Sequence, residues 1–141
     1  MRVQILEPAT AQATLRRMAY EVYEHNFDSS PLTLLGLVER GYHIATQLHG
    51  LLQEISPLQL ELLQVAKGSD QQLHSLPGGQ NWLIVDDVLY TGRTQYDTLC
   101  MLHGHAPERV QVAVLIDRGH RSFPIRPSFV GIDLATTLRE E

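Results

Sequence analysis

The chain has 141 residues, a size that suits one domain around one core. Hydrophobic residues make up 43% and aromatics 6%, which fits an ordinary α/β domain and excludes a disordered chain. A net charge of −5 disfavours a general nucleic-acid binder, although it leaves room for a local basic patch.

No apolar run approaches the ~20 residues of a membrane span. Glu7 and Pro8 stand where a signal peptide would carry its apolar centre. Cys100 is the single cysteine and has no internal disulfide partner, so a reducing, cytoplasmic setting is expected. The acidic excess is one-sided. Residues 101–141 balance five arginines (Arg109, Arg118, Arg121, Arg126, Arg139) against five acids (Glu108, Asp117, Asp133, Glu140, Glu141), so the deficit lies in residues 1–100. Lys67 is the only lysine.

Residues 11–25 carry Leu15, Met18, Ala19 and Val22 at i, i+3, i+4, i+7 spacing, which predicts an amphipathic helix. Asp28, Ser29, Ser30 and Pro31 then break the pattern. Leu32–Val38 is a short apolar run and reads as a buried strand. Helical spacing returns over residues 42–55. Leu58–Val65 reads as a second strand, although its Leu, Glu and Gln content also suits a helix. Residues 67–81 form a polar connection. Trp82–Asp86 is an apolar strand ending in acids, residues 92–104 look helical, Val110–Ile116 is another buried strand, and Ser128–Leu134 is a short final one. Pro124 and Pro127 keep the stretch before it out of regular helix. Strands alternating with helices imply a mostly parallel sheet covered on both faces. Ligands in such sheets bind beyond the carboxyl ends of the strands.

The richest stretch there is Leu83-Ile84-Val85-Asp86-Asp87-Val88-Leu89-Tyr90-Thr91-Gly92-Arg93-Thr94. A buried strand delivers two carboxylates, and a Thr-Gly-Arg-Thr turn then opens a helix. Free N–H groups at a helix start favour a phosphate. Gly92 permits a backbone shape that other residues resist, and the Thr91 and Thr94 hydroxyls can donate to phosphate oxygens. The carboxylates can accept hydrogen bonds from sugar hydroxyls. No Walker A pattern is present. The stretch resembles the phosphoribosyl pyrophosphate loop of the type I phosphoribosyltransferases. That resemblance gives Asp86 and Asp87 to the ribose and Tyr90, Thr91, Gly92, Arg93 and Thr94 to the 5′-phosphate. It implies a single-domain type I phosphoribosyltransferase fold over residues 1–141.

A second segment narrows the group. Val112–Arg121, with Asp117-Arg118-Gly119-His120-Arg121 at its end, is followed by Phe123-Pro124-Ile125-Arg126-Pro127. It is similar to the segment after the fourth strand of the bifunctional pyrimidine-operon regulators with uracil phosphoribosyltransferase activity. In that group the segment belongs to a hood over the base, so Arg118, His120 and Arg121 are expected at the uracil pocket or its rim. The rival reading is a charged surface loop pinned by the two prolines. Leu37-Val38-Glu39-Arg40-Gly41 occupies the place of the group's pyrophosphate loop. Arg40 and Gly41 match it. Glu39 replaces the usual small hydroxyl residue and opposes pyrophosphate unless it faces away or helps to hold magnesium.

The resemblance implies displacement of pyrophosphate by uracil, with Asp86, Asp87 and Arg40 at the chemistry. Magnesium would arrive with the substrate, with no direct protein ligand unless Asp86 and Asp87 contribute. It also implies a homodimer. Two departures stand out. The connection from Lys67 to Gln80 is short and lacks the Tyr-Arg-Asp-Asp-like element of the group's mobile loop, and the chain ends soon after a reduced hood. A nucleotide-sensing regulator of the RNA-binding attenuator type, with turnover lost, is therefore the rival function. The acidic balance weighs against RNA. A transferase for another base is a third reading, which the Arg118 segment disfavours. His103 and His105 make a weak metal pattern, Cys100 is expected to pack, and Trp82 is expected in the core rather than against a base.

Overall fold

The computed structural model describes residues 7–65 and 81–134. Its elements in chain order are α1 (Pro8–Glu24), β1 (Leu32–Leu37), α2 (Val38–Ile55), β2 (Leu60–Val65), β3 (Asn81–Leu89), α3 (Arg93–His103), β4 (Arg109–Asp117) and β5 (Phe129–Asp133). The five strands form one parallel sheet in the order β2-β1-β3-β4-β5. The ambiguous segment before Val65 is a strand, because Leu60 to Val65 pair residue for residue with Leu32 to Leu37.

A parallel sheet needs cover on both faces, and two apolar clusters supply it. On one face, Leu15, Met18, Ala19 and Val22 of α1 and Ile44, Ala45, Leu48 and Leu52 of α2 pack on Leu34, Leu83, Val85 and Ala113. On the other, Leu102 of α3 and Ile125 pack on Leu35, Trp82, Ile84, Val112 and Val114. Trp82 is fully buried there. The expected α1 stripe is the one that the core uses. Among the described residues no helix is long and apolar enough to cross a membrane.

Three local expectations change. α2 begins directly at Val38, so Glu39, Arg40 and Gly41 form its first turn rather than a separate loop. Leu37, still extended, serves as its N-cap. β3 continues beyond Asp86 to Leu89, because β4 runs far enough to pair Val88 with Ile116 and Leu89 with Asp117. The acidic pair thus lies within a strand rather than at its tip. Cys100 is exposed on α3 rather than packed. The connection from Lys67 to Gln80 lies outside the described residues.

Candidate active site

β1 and β3 are neighbours, yet their outgoing connections diverge. α2 leads from β1 to β2 at one end of the sheet, and α3 leads from β3 toward β4 in the other direction. Such a switch point leaves a crevice at the carboxyl ends of the two strands. The first turn of α2 and the Tyr90–Thr94 segment flank this crevice.

Successive strand side chains point to opposite faces, so the acidic pair divides. Asp86 turns toward α3, where its Oδ2 accepts a hydrogen bond from Gln95 Nε2 at 2.8 Å. Its Oδ1 accepts from the Asp87 N–H at 2.8 Å. Only 6% of Asp86 is exposed. Burial chiefly, then the adjoining Asp87 carboxyl, pushes the Asp86 carboxyl up from 3.8 to about 8, against the lowering effect of the Asp87 N–H and Gln95. Asp87 is more open. Its Oδ1 accepts from the Val88 N–H at 2.9 Å, and its Oδ2 lies 3.9 Å from Arg40 Nη1. The Arg40 side chain is 85% exposed and free to swing toward a ligand.

Gly41 brings the two elements together. A Cβ at this position would lie 2.7 Å from the Val85 carbonyl oxygen and 3.1 Å from both Cα and Oδ1 of Asp86. Only a glycine lets the first turn of α2 sit this close to the acidic pair. Glu39, in the same turn, is exposed, and a negative charge there suits the helix N-terminus.

Beyond β3, Gly92 takes φ +88°, a left-handed conformation that places it as the N-cap of α3. The Thr91 hydroxyl accepts from the Arg93 N–H at 3.2 Å. The Arg93 guanidinium turns outward, 5.5 Å from the Phe123 ring and 3.5 Å from Asp97. Its charge is thus shared with Asp97 and the Phe123 face on the outer side of α3. Thr94 is half-buried in the first turn of α3. Tyr90 is exposed at the mouth of the crevice.

The segment after β4 is stitched to this loop. The Thr91 carbonyl accepts from the N–H groups of Ser122 at 2.8 Å and Phe123 at 3.0 Å, and the Leu89 carbonyl accepts from the Arg118 N–H at 2.9 Å. Gly119 and His120 both have positive φ, +80° and +59°, and this sharp bend sets the His120 ring 5.4 Å from the Tyr90 ring. The Arg118 guanidinium lies 5.4 Å from the same ring. Tyr90, Arg118 and His120 thus converge.

Arg121 does not join them. It donates to Asp117 Oδ2 at 2.7 Å, to the Tyr90 carbonyl at 3.2 Å and to the Ile125 carbonyl at 3.0 Å. These bonds tie the segment after β4 to the loop after β3. Burial alone would raise the Asp117 carboxyl, but the hydrogen bonds from Arg121 and Gly119, with the Arg121 charge, hold it below its usual value. The stabilisation from this pair is therefore complete above about pH 4 and is lost as the pH falls through the lowered value. Arg121→Ala is expected to destabilise the fold by about 3 kcal/mol at neutral pH, because it strands a buried carboxylate. Urea unfolding checks this, and a change under about 0.5 kcal/mol, the usual size for a surface site, would sink it.

Sequence reasoning missed two residues here, Gln95 and Asp117. Gln95 shares the inward stripe of α3 with Thr98 and Leu102, and a long polar side chain on that stripe was the available signal. Asp117 opens the Asp117-Arg118-Gly119-His120-Arg121 run, where the arginines and the histidine, not the acid, draw the functional reading. Among the described residues no group of three or more His, Cys, Asp or Glu side chains converges to hold a metal, His103 and His105 included.

Residues 3–137 match the phosphoribosyl transferase domain. The chain belongs to the phosphoribosyl transferase family. Curated relatives of this chain include the Bifunctional protein PyrR of Streptococcus pneumoniae strain CGSP14 and that of serotype 19F strain G54. Each is 35% identical over 149 residues, covering 98% of this chain and 86% of its own length. That stretch exceeds the 141 residues of this chain, so the relatives carry residues within it that this chain lacks. Among solved structures, the HGPRT-ase of Leishmania tarentolae in complex with GMP superposes with a TM-score of 0.80 at 14% identity, over 89% of this chain and 77% of that one. The hypoxanthine phosphoribosyltransferase of Trypanosoma cruzi gives 0.76 at 18%, over 87% and 76%. At those identities the likeness shows the fold, a parallel five-stranded sheet with flanking helices.

Proposed function

We propose that this phosphoribosyl transferase takes phosphoribosyl pyrophosphate and uracil to UMP and pyrophosphate, in the cytoplasm. The observation that carries the reading is the meeting, at one switch point, of the Asp86–Asp87 pair with the Tyr90–Thr94 helix start. A ribose 5-phosphate needs both, carboxylates for its hydroxyls and free N–H groups for its phosphate. The choice of uracil is supported by the likeness of the Arg118 segment to that of the pyrimidine-operon regulators, and by the PyrR relatives.

In the reaction the bond from ribose C1 to the pyrophosphate oxygen breaks, uracil N1 bonds to C1, and the N1 proton passes to the departing pyrophosphate or to water. The chain supplies position and charge rather than acid–base groups. Asp87, the more open acid, accepts from the ribose hydroxyls, with Asp86 beneath it. The amides and hydroxyls from Thr91 to Thr94 hold the 5′-phosphate. Arg40 and the Gly41 turn face the departing pyrophosphate, with Glu39 turned to solvent. Arg118 and His120, beside Tyr90, present the base side of the crevice, and Arg121 keeps that side in place. Magnesium carried on the pyrophosphate would neutralise its charge, with one open carboxylate, Asp87, at hand.

UMP formation from uracil, phosphoribosyl pyrophosphate and magnesium tests the reading. Turnover is expected, with a loss of roughly 100-fold or more in Asp87→Asn as a stabilised charge is removed. Equal rates for both proteins would sink the assignment. The residues that the PyrR proteins carry within the matched stretch, and that this chain lacks, favour a second reading, a nucleotide-sensing regulator that keeps UMP binding without turnover. An RNA partner would show steep salt dependence, and the net charge of −5 weighs against it. On family habit we also read the protein as a homodimer, and a single light-scattering peak at monomer mass would overturn that.

A further inference from the structure

The contact between α3 and the acidic pair has a use that the reaction scheme leaves open. Gln95 is buried, on the stripe that α3 turns to the core. Its amide holds one oxygen of Asp86, and the Asp87 N–H holds the other. Gly41 closes in from α2, with no room for a Cβ. The plane of the Asp86 carboxyl is therefore set by α3 as well as by its own strand. The carboxyl then meets sugar hydroxyls with what these two bonds leave over, a lone pair that accepts from one hydroxyl and, while the acid keeps its proton, an O–H that donates to another. Gln95 also lies three residues after Gly92, within the first turn of α3. One helix start thus carries the phosphate-loop amides and the donor that orients the sugar-side acid.

We propose that Gln95 is a positioning residue that locks Asp86 against α3 and keeps the ribose-hydroxyl subsite in register with the phosphate loop. The proposal rests on reading the crevice as a ribose 5-phosphate site. An apolar residue at position 95 would fill the same space. It would leave Asp86 Oδ2 without its donor, and its terminal torsion, which is intrinsically broad, would be held from the Oδ1 side alone. The consequence falls on the hydroxyls of the ligand and spares its phosphate.

The test compares Gln95→Met, close in volume and lacking the amide, with the native chain. Calorimetry measures binding of UMP and of its 2′,3′-dideoxy counterpart, and thermal melting confirms that the variant folds. UMP is expected to weaken on the order of tenfold, the usual effect of one lost hydrogen bond to a carboxyl, while the dideoxy ligand binds both proteins alike. Equal weakening of both ligands, or unchanged UMP affinity, overturns the role of Gln95. Failure of the native chain to bind UMP overturns the underlying site reading as well. Should Gln95→Met not fold, Gln95→Asn, which keeps the amide but shortens its reach, is read the same way.

Discussion

Gly41→Ala is expected to lower UMP formation by roughly 100-fold, the scale of effect that a misplacement of about 1 Å can produce. The new methyl group would meet the Val85 carbonyl oxygen at 2.7 Å and the Asp86 Cα at 3.1 Å. Both are backbone atoms of a strand paired on both sides, with β1 and with β4. They cannot rotate away as a side chain would, so the first turn of α2 must retreat. Arg40 then moves off Asp87, and the crevice widens where the pyrophosphate should leave. Overpacking of this kind costs about 1–3 kcal/mol, so most of the protein should remain folded while turnover is lost. Steady-state kinetics beside urea unfolding separates the two effects. Near-native turnover in the variant would show that the close approach has no catalytic purpose.

The second large effect concerns pH. Asp86 is raised to about 8 in the fold, against 3.8 when unconstrained. Between those values the folded chain keeps a proton that the unfolded chain has released. The folded state binds more protons there, so stability falls as the pH rises from about 4 to about 8 and levels off above that. The slope is bounded by about 1.4 kcal/mol per pH unit for one group. Asp86→Asn removes the titration. Its side-chain oxygen can still accept from the Asp87 N–H, and its amide can meet Gln95 once that side chain flips. The variant should therefore match the native chain near pH 4 and exceed it in stability at pH 8. Urea midpoints at pH 5, 7 and 9 provide the measurement. Parallel curves for the two proteins would mean that Asp86 is ionised in the fold at neutral pH. The expected divergence would mark the buried acid as a stability cost that an Asn would not carry.

Much of the fold was legible before the tertiary structure because the signals are local. The apolar stripe from Leu15 to Val22 is the face that α1 buries. The runs around Leu34, Ile84 and Val114 are strands buried on both faces, as their continuous apolar character implied. The phosphate-type turn was equally local, since Gly92 adopts the left-handed backbone that its position called for. Leu60–Val65 was ambiguous because its own composition suits two structures, and pairing with β1 decides between them.

The alternation of strands and helices, the acidic pair and the glycine turn are legible in the residues alone, because each is written in consecutive positions or in one period. How those pieces meet is set by the packed fold. It turned Asp86 onto Gln95 and Asp87 toward Arg40, because the pleat of β3 sends neighbours to opposite faces and different helices wait on each. It spent Arg121 on Asp117 and two carbonyls, leaving Arg118 and His120 beside Tyr90. It started α2 at Val38 and carried β3 past the acidic pair, because those boundaries depend on how far a neighbouring strand runs. Such contacts join residues far apart in the chain, and no local pattern names which side chain will arrive opposite another.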